Sequence, residues 1–442
     1  MNVIIKSLAL AGCLYGGAQV FAQGGKVTFT GVAVPEDRGK NVEVWCSNDL
    51  SLVGSSSNFF VKTQPDGHFS TTVTIKKPGY YNFGYNTIYL APGDKLNGLF
   101  NNYGEKTTYT GTHAAINDYL KGTVGSHSGS FIENIGQDKL QDLSKVSKQI
   151  DSLANVRRKE LNALTAPADF KDMEEARIKA DIVNTYLSIP FYRGMEQTEK
   201  DSLLKANKDK LTPMIQAVCR DKYMNLDVVR SVISDCSDEP LFKDSIRWTP
   251  RMRTLFTAAG LAGYIGRQPD INALVEVDKF LSNCKEPDIK FELQQVRNKV
   301  GNLVKGATAP NLKLISPDGK STLLSQYKGK AIYIDLWATW CGPCMKESPL
   351  FHSLAEKYTG SKNLVFLSIS IDTNLKSWNQ FLARKKSTIP EYNCTDNKGQ
   401  AAWNITSIPR FILIDKDFKI INANAPAPSE ADKIETELNK LK

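Results

Sequence analysis

At 442 residues the chain is longer than one compact domain usually needs, since domains run to about 100–200 residues. Hydrophobic residues make up 41% and charged residues 23%, which excludes a collagen-like, low-complexity or wholly disordered chain. The net charge of +9 is modest, and neither residues 305–442 nor the remainder shows the dense Lys/Arg stripe of a nucleic-acid binder.

Residues 1–22 place one cation, Lys6, ahead of a short apolar stretch that ends on Ala22. This is the layout of a secretory signal peptide cleaved after Ala22. Leu10-Ala11-Gly12-Cys13 offers a rival, because it resembles a bacterial lipoprotein cleavage box that would leave an acylated Cys13 first. Only six residues separate Lys6 from Cys13, and apolar character continues to Phe21, which favours cleavage after Ala22. Either way the chain is expected in the periplasm or otherwise exported and associated with the cell envelope, where disulfides persist. Beyond this leader no apolar run reaches the ~18 residues of a membrane-spanning helix.

Residues 23–112 read as a small antiparallel β-sandwich. Strand patterns at 26–34, 42–45 and 69–75 are punctuated by turn signals such as Pro65-Asp66-Gly67 and Pro92-Gly93-Asp94. With its segment at 89–94, this module resembles the amino-terminal domain of unknown function in many exported Bacteroidetes thioredoxin-like proteins. Residues 113–304 turn helical. Leu143, Val146, Ile150 and Leu153 mark one amphipathic face, and further helices are expected near 172–188, 197–208, 213–235, 250–264 and 269–282, with a polar break at 234–240. This region reads as a spacer, a dimerisation surface that could make the chain a homodimer, or a client platform. No cofactor or metal site is read from the chain: His68, His113, His127 and His352 lie at no metal-ligand spacing.

The chemistry concentrates in residues 305–442. An almost continuous apolar run at 331–338 is what a buried central strand requires. Cys341-Gly342-Pro343-Cys344 follows at once, and a helix begins through Leu350, Leu354 and Tyr358. A C-x-x-C pair at the start of a helix that leaves a strand is a redox motif, because the unsatisfied N–H groups there stabilise a thiolate. Cys341 is the expected nucleophile, and Cys344, one turn on, the resolving thiol. Cys46, Cys219, Cys236, Cys284 and Cys394 are scattered, and the sequence leaves their pairing open.

The run Trp337-Ala338-Thr339-Trp340-Cys341-Gly342-Pro343-Cys344 resembles the α/β thioredoxin family, and most closely its exported thiol–disulfide oxidoreductases of the TlpA and ResA type. Pro349 matches the helix-kinking proline, and Pro409 in Ser407-Ile408-Pro409-Arg410 matches the cis-proline opposite the active site. Without the family, Pro409 is an ordinary strand-entry proline. The resemblance implies a redox-active Cys341–Cys344 disulfide, with substrate bound along Trp340, Gly342, Pro343, Ile408 and Pro409. It also implies a catalytic acid at Asp335 that relays the proton of Cys344, and a second acid near the site at Glu347. On residue chemistry alone Asp335 could face water from an edge strand, and Glu347 could be a solvated partner of the helix dipole.

The expected activity is exchange of thiols and disulfides in protein clients, with reduction favoured by the Gly-Pro between the cysteines. The resemblance implies recharging by a membrane thiol carrier as electron source, and roles in cytochrome c maturation or rescue of oxidised proteins. A redox-inert binding protein that uses the first 300 residues is the alternative. A thiol peroxidase is a third reading that the sequence disfavours, because its motif needs Thr or Ser three residues before the reactive cysteine, where this chain has Ala338 or Cys341.

Overall fold

The computed structural model describes residues 24–441 except 55–56, 85, 102–105, 122–129, 268, 386 and 406. The leader with Lys6 and Cys13, and His127, lie outside the described residues. The chain packs as two compact units, one of residues up to 47 with 57–211, the other of 48–56 with 212 onward.

Eight strands build the β part of the first unit: β1 (Gly25–Val32), β2 (Asn41–Ser47), β3 (Phe59–Lys62), β4 (His68–Ile75), β5 (Gly79–Phe83), β6 (Asn86–Leu90), β7 (Lys95–Leu99) and β8 (Thr108–Gly111). They form two four-stranded sheets, ordered β4-β1-β7-β8 and β3-β2-β5-β6. All pairings are antiparallel except that of β1 with β7. Phe29, Phe69, Phe83 and Phe100 close the core between the sheets, with ring centroids 4.7–6.1 Å apart.

This β part is keyed to the helix Ala168–Arg193 by a fully buried carboxylate, Glu174. Glu174 Oε1 accepts from Tyr80 Oη at 2.8 Å and Arg177 Nε at 3.0 Å, and Arg157 Nη2 lies 3.6 Å from Oε2. Arg157 in turn pairs with buried Asp181. The two cations and two anions balance, which is the condition under which buried charge is tolerable.

In the second unit the sequence pattern misplaces a boundary. The helix expected at 213–235 is two helices, Lys208–Val218 and Asp227–Asp238, separated by the short turn Asp221–Asn225. The expected break at 234–240 is instead helix as far as Asp238. Ser234, Asp235 and Asp238 are exposed while Val232, Ile233 and Cys236 are buried, so the polar run is simply the wet face. Pro240 lies just beyond, where helices stop. Segment 48–56 is tied in through Arg251, which donates to Asp49 (2.6 Å), Glu286 (2.8 Å) and Asp288 (2.7 Å).

A seven-stranded sheet completes this unit: β9 (Lys313–Ile315), β10 (Ser321–Leu323), β11 (Ala331–Trp337), β12 (Leu364–Ser370), β13 (Glu391–Asn393), β14 (Arg410–Ile414) and β15 (Ile420–Ala425), in the order β10-β9-β13-β12-β11-β14-β15. β11 runs parallel to β12 and antiparallel to β14, and every residue of it is buried. The last strand starts at Ile420, two residues after Phe418 takes a left-handed turn conformation (φ 63°). No helix among the described residues is long and apolar enough to cross a membrane.

Replacing Glu174 by Ala removes one of the two carboxylates that balance buried Arg157 and Arg177, leaving Asp181 against two guanidinium groups, at an expected cost of about 3–5 kcal/mol. Urea unfolding followed by far-UV circular dichroism should show a lower midpoint, with Glu174→Gln less affected. A midpoint equal to that of the parent chain would contradict this account.

Candidate active site

Alternation along β11 decides what faces the cysteines. Ile332, Ile334 and Leu336 belong to the core on one side of the sheet. Tyr333 packs with Phe351 and Leu354 of the helix Gly342–Lys357, and Trp337 packs with Cys341 and Cys344. Asp335, between them at the two-residue period of a strand, therefore points to the face that this helix covers.

Cys341 is the N-cap of that helix, and its Sγ accepts from the backbone N–H of Cys344 at 3.2 Å. The chain leaves β11 through a turn in which Cys341 N donates to Ala338 O at 3.0 Å. Gly342 and Pro343 occupy the first helical turn, where a missing N–H on proline costs nothing. Cys341 and Cys344 are joined by a disulfide with Cα atoms 5.2 Å apart. Cys341 is 5% exposed and Cys344 1%. Access therefore comes from Gly342, Pro343 and Trp340, all exposed. Trp340, at 69%, puts a bare indole beside the disulfide. Opposite it, the Ile408–Pro409 bond is cis, and Ile408 packs against the Trp337–Cys341–Cys344 cluster. The helix start and the cis-proline loop thus bring Cys341, Cys344 and Ile408 into one cluster, with Trp340, Gly342 and Pro343 exposed next to it in the chain.

Asp335 is 2% exposed, so the edge-strand alternative does not hold. Burial pushes its carboxyl up to about 8; Lys385 pulls the other way, while Glu391 and Glu347 add to the rise. Its Oδ1 has no hydrogen-bond partner. Glu347 is half-buried, and its Oε2 accepts from the backbone N–H of Ser429 at 3.1 Å, so it fastens a loop as well as facing the site.

Six residues escaped the sequence reading. Asp372, just past β12, accepts from Thr339 N at 2.9 Å and Thr339 Oγ1 at 2.7 Å, pinning the turn that leads to Cys341. Ser370 Oγ donates to Asp372 at 2.7 Å, and Asn393 Nδ2 reaches both Ser370 and the Asp372 carbonyl. An acid directly after a buried strand, on the same edge as the cysteines, was the available signal. Lys385, Glu391 and His352 had none. Lys385 Nζ sits 5.0 Å from the centre of the Trp337 ring and 3.0 Å from Glu391 Oε1, and His352 Nε2 lies 3.7 Å from that same oxygen. Burial, with Lys385 nearby, holds His352 below its usual range. Cys394 is buried, and burial pushes its thiol up, so it is a poor nucleophile. The other unpaired cysteines among the described residues are Cys46, Cys219, Cys236 and Cys284.

Residues 304–438 match the Redoxin family. Among curated relatives, a ResA of Bacillus cereus, a thiol-disulfide oxidoreductase, is 29% identical over 116 residues, 26% of this chain and 66% of that protein. ResA of Geobacillus kaustophilus is 28% identical over 137 residues, 31% of this chain and 78% of that protein. The chain thus spans about two thirds of the length of several ResA proteins it matches. A Bacteroides vulgatus crystal structure assigned as a thiol-disulfide oxidoreductase is 45% identical, with 32% of this chain and 99% of that one covered and a TM-score of 0.31.

The raised Asp335 carboxyl makes stability depend on pH. It keeps its proton in the folded chain up to about 8, but loses it near 3.8 when unfolded. Unfolding therefore releases a proton between these values, and stability falls as pH rises through that window. Each unit of displacement is worth about 1.4 kcal/mol. In the oxidised chain, Asp335→Asn should unfold at the parent's urea midpoint near pH 4 and at a clearly higher one at pH 9. A midpoint difference independent of pH would contradict the burial of this carboxyl. Residues 304–438 thus match the Redoxin family and are similar to the thiol–disulfide oxidoreductase ResA.

Proposed function

We propose that the chain is an exported oxidoreductase that reduces protein disulfides through Cys341 and Cys344. The observation that carries this reading is the sulfur of Cys341 held at the open end of a helix, within hydrogen-bond distance of a backbone N–H. In the reduced protein that donor and the helix dipole favour the Cys341 thiolate. The thiolate attacks one sulfur of the client disulfide, a mixed disulfide forms, and the other client sulfur leaves as a thiolate and takes up a proton. Asp335, in the ionised fraction that grows as the pH approaches 8, takes the proton of Cys344, which then attacks Cys341. The second client thiol is released, and the Cys341–Cys344 disulfide closes with the client's two electrons supplied. A membrane thiol carrier, itself oxidised, returns the pair to the dithiol.

The carboxyl of Asp335 suits this step, since a group poised near neutral pH can both accept and return a proton. Glu347 modulates the site at its rim. Trp340 and the backbone of Ile408 receive an extended client segment, the indole by stacking and the strand-entry loop by main-chain pairing. Reduction of oxidised proteins, including apocytochromes, in the cell envelope is the role that fits an exported chain of this kind.

With the chain reduced beforehand, insulin disulfides should be cleaved. Cys341→Ser should abolish the reaction, and Cys344→Ala should accumulate a covalent mixed disulfide visible by mass. If the reduced parent leaves insulin intact and Cys344→Ala captures nothing, a redox-inert binding protein is the reading that remains.

The two acids should separate in single-turnover reduction. Asp335→Asn is expected to slow resolution of the mixed disulfide on the order of 100-fold, and Glu347→Gln by much less. Equal or reversed effects would refute the assignment of Asp335 as proton acceptor.

A further inference from the structure

In the second unit a cavity of about 400 Å³ lies between the helix Pro250–Arg267 and the loop that carries Pro409. Small residues open it on the helix side, where a Cβ on Gly266 would meet nothing within 4 Å. Its lining contains three cations, Arg267, Lys299 and Arg410, and no acid. Among the described residues none of the three forms an ion pair with a carboxylate. Arg410 is only 7% exposed, and its guanidinium donates to backbone carbonyls alone: Nη1 to Asn404 at 2.8 Å, Nε and Nη2 to Ala423 at 3.0 and 2.9 Å. Carbonyl dipoles position this cation without neutralising it, so the cavity keeps a positive potential.

Its place matters as much as its charge. Ser407 and Arg410 line the cavity, while Ile408, between them, packs against the cluster that holds both cysteines. One short loop therefore has the disulfide on one side and the cationic cavity on the other. An extended segment advances ~3.3 Å per residue, so a client lying along 407–409 brings side chains within about three residues of its own cysteine to the cavity mouth.

We propose that this cavity selects disulfide clients bearing a carboxylate side chain within about three residues of the attacked cysteine. This rests on the disulfide-reductase reading above and adds the client's chemistry to it. The carboxylate pairs with Arg267 and Lys299, whose exposed heads can follow it, while Arg410 supplies a fixed positive floor.

The test uses the reduced full chain and disulfide-bonded peptides differing only in Asp, Asn or Lys, placed in turn at each position up to three residues on either side of the cysteine. At low ionic strength kcat/KM should fall in the order Asp, Asn, Lys, with about a 5- to 30-fold spread for one to two kcal/mol of ion pairing. The spread should shrink in 0.5 M salt. The double substitution Arg267→Glu with Lys299→Glu should invert the Asp-to-Lys ratio, and Arg267→Gln with Lys299→Gln should flatten it. Equal rates for the three peptides at every position, or a preference unchanged in both double variants, would overturn the cavity's role while the reductase reading stands. If no peptide and no insulin is reduced, it is the reductase reading that fails.

Discussion

The backbone N–H of Cys344 points at the sulfur of Cys341, and the rest of the redox domain can be understood as what holds those two atoms 3.2 Å apart. A helix start is rich in N–H groups without partners, and a sulfur placed there meets them at short range. To place it, the chain must leave a rigid strand and turn sharply. β11 supplies the rigidity, being buried along its whole length and hydrogen-bonded on both sides to β12 and β14. The turn is held by Thr339 on Asp372, an anchor 33 residues away in sequence.

Beneath the sulfurs the sheet carries an unusual load for a central strand, an acid with almost no exposure. The fold tolerates Asp335 by keeping it protonated through the neutral range, at a cost to stability that grows as the pH rises. Lys385, lying over the Trp337 ring and paired with Glu391, limits that cost from the side. The arrangement exchanges stability for a buried carboxyl that titrates near neutral pH on the face covered by the helix of the two cysteines.

The helical segment does not stand apart from this chemistry. Its later helices share a compact unit with the redox domain, and Asn424 Nδ2 on β15 donates to the carbonyl of Arg267 at 2.8 Å. Leu303 reaches the hydrophobic core behind β11. The helices thus form one wall of a cationic cavity whose other wall is the loop next to the disulfide. A redox domain of this type could act alone; the wall supplied by the helices offers a way to choose among clients.

Local patterns in the sequence determined the β and helical parts, the buried strand, and the cysteine pair with its helix. They did so because each depends on residues within one or two turns of one another: Ala331–Trp337 is apolar throughout apart from Asp335, and Gly342 and Pro343 start a helix where they follow such a strand. Resemblance to a known family brought Pro409 and the two acids. The tertiary structure alone decided whether Asp335 was buried, that Asp372 would hold the turn, and that Lys385, Glu391 and His352 would gather beside Trp337. It also decided that helix would persist through Ser234–Asp238, since a polar run breaks a helix only if both faces must be buried. The division of the chain into two units, with residues 48–56 joining the second, lies beyond any local pattern as well. These features arise from contacts between segments tens to hundreds of residues apart, such as Arg251 with Asp49, whose energy depends on desolvation and distance in the folded chain and leaves no periodic mark on the sequence.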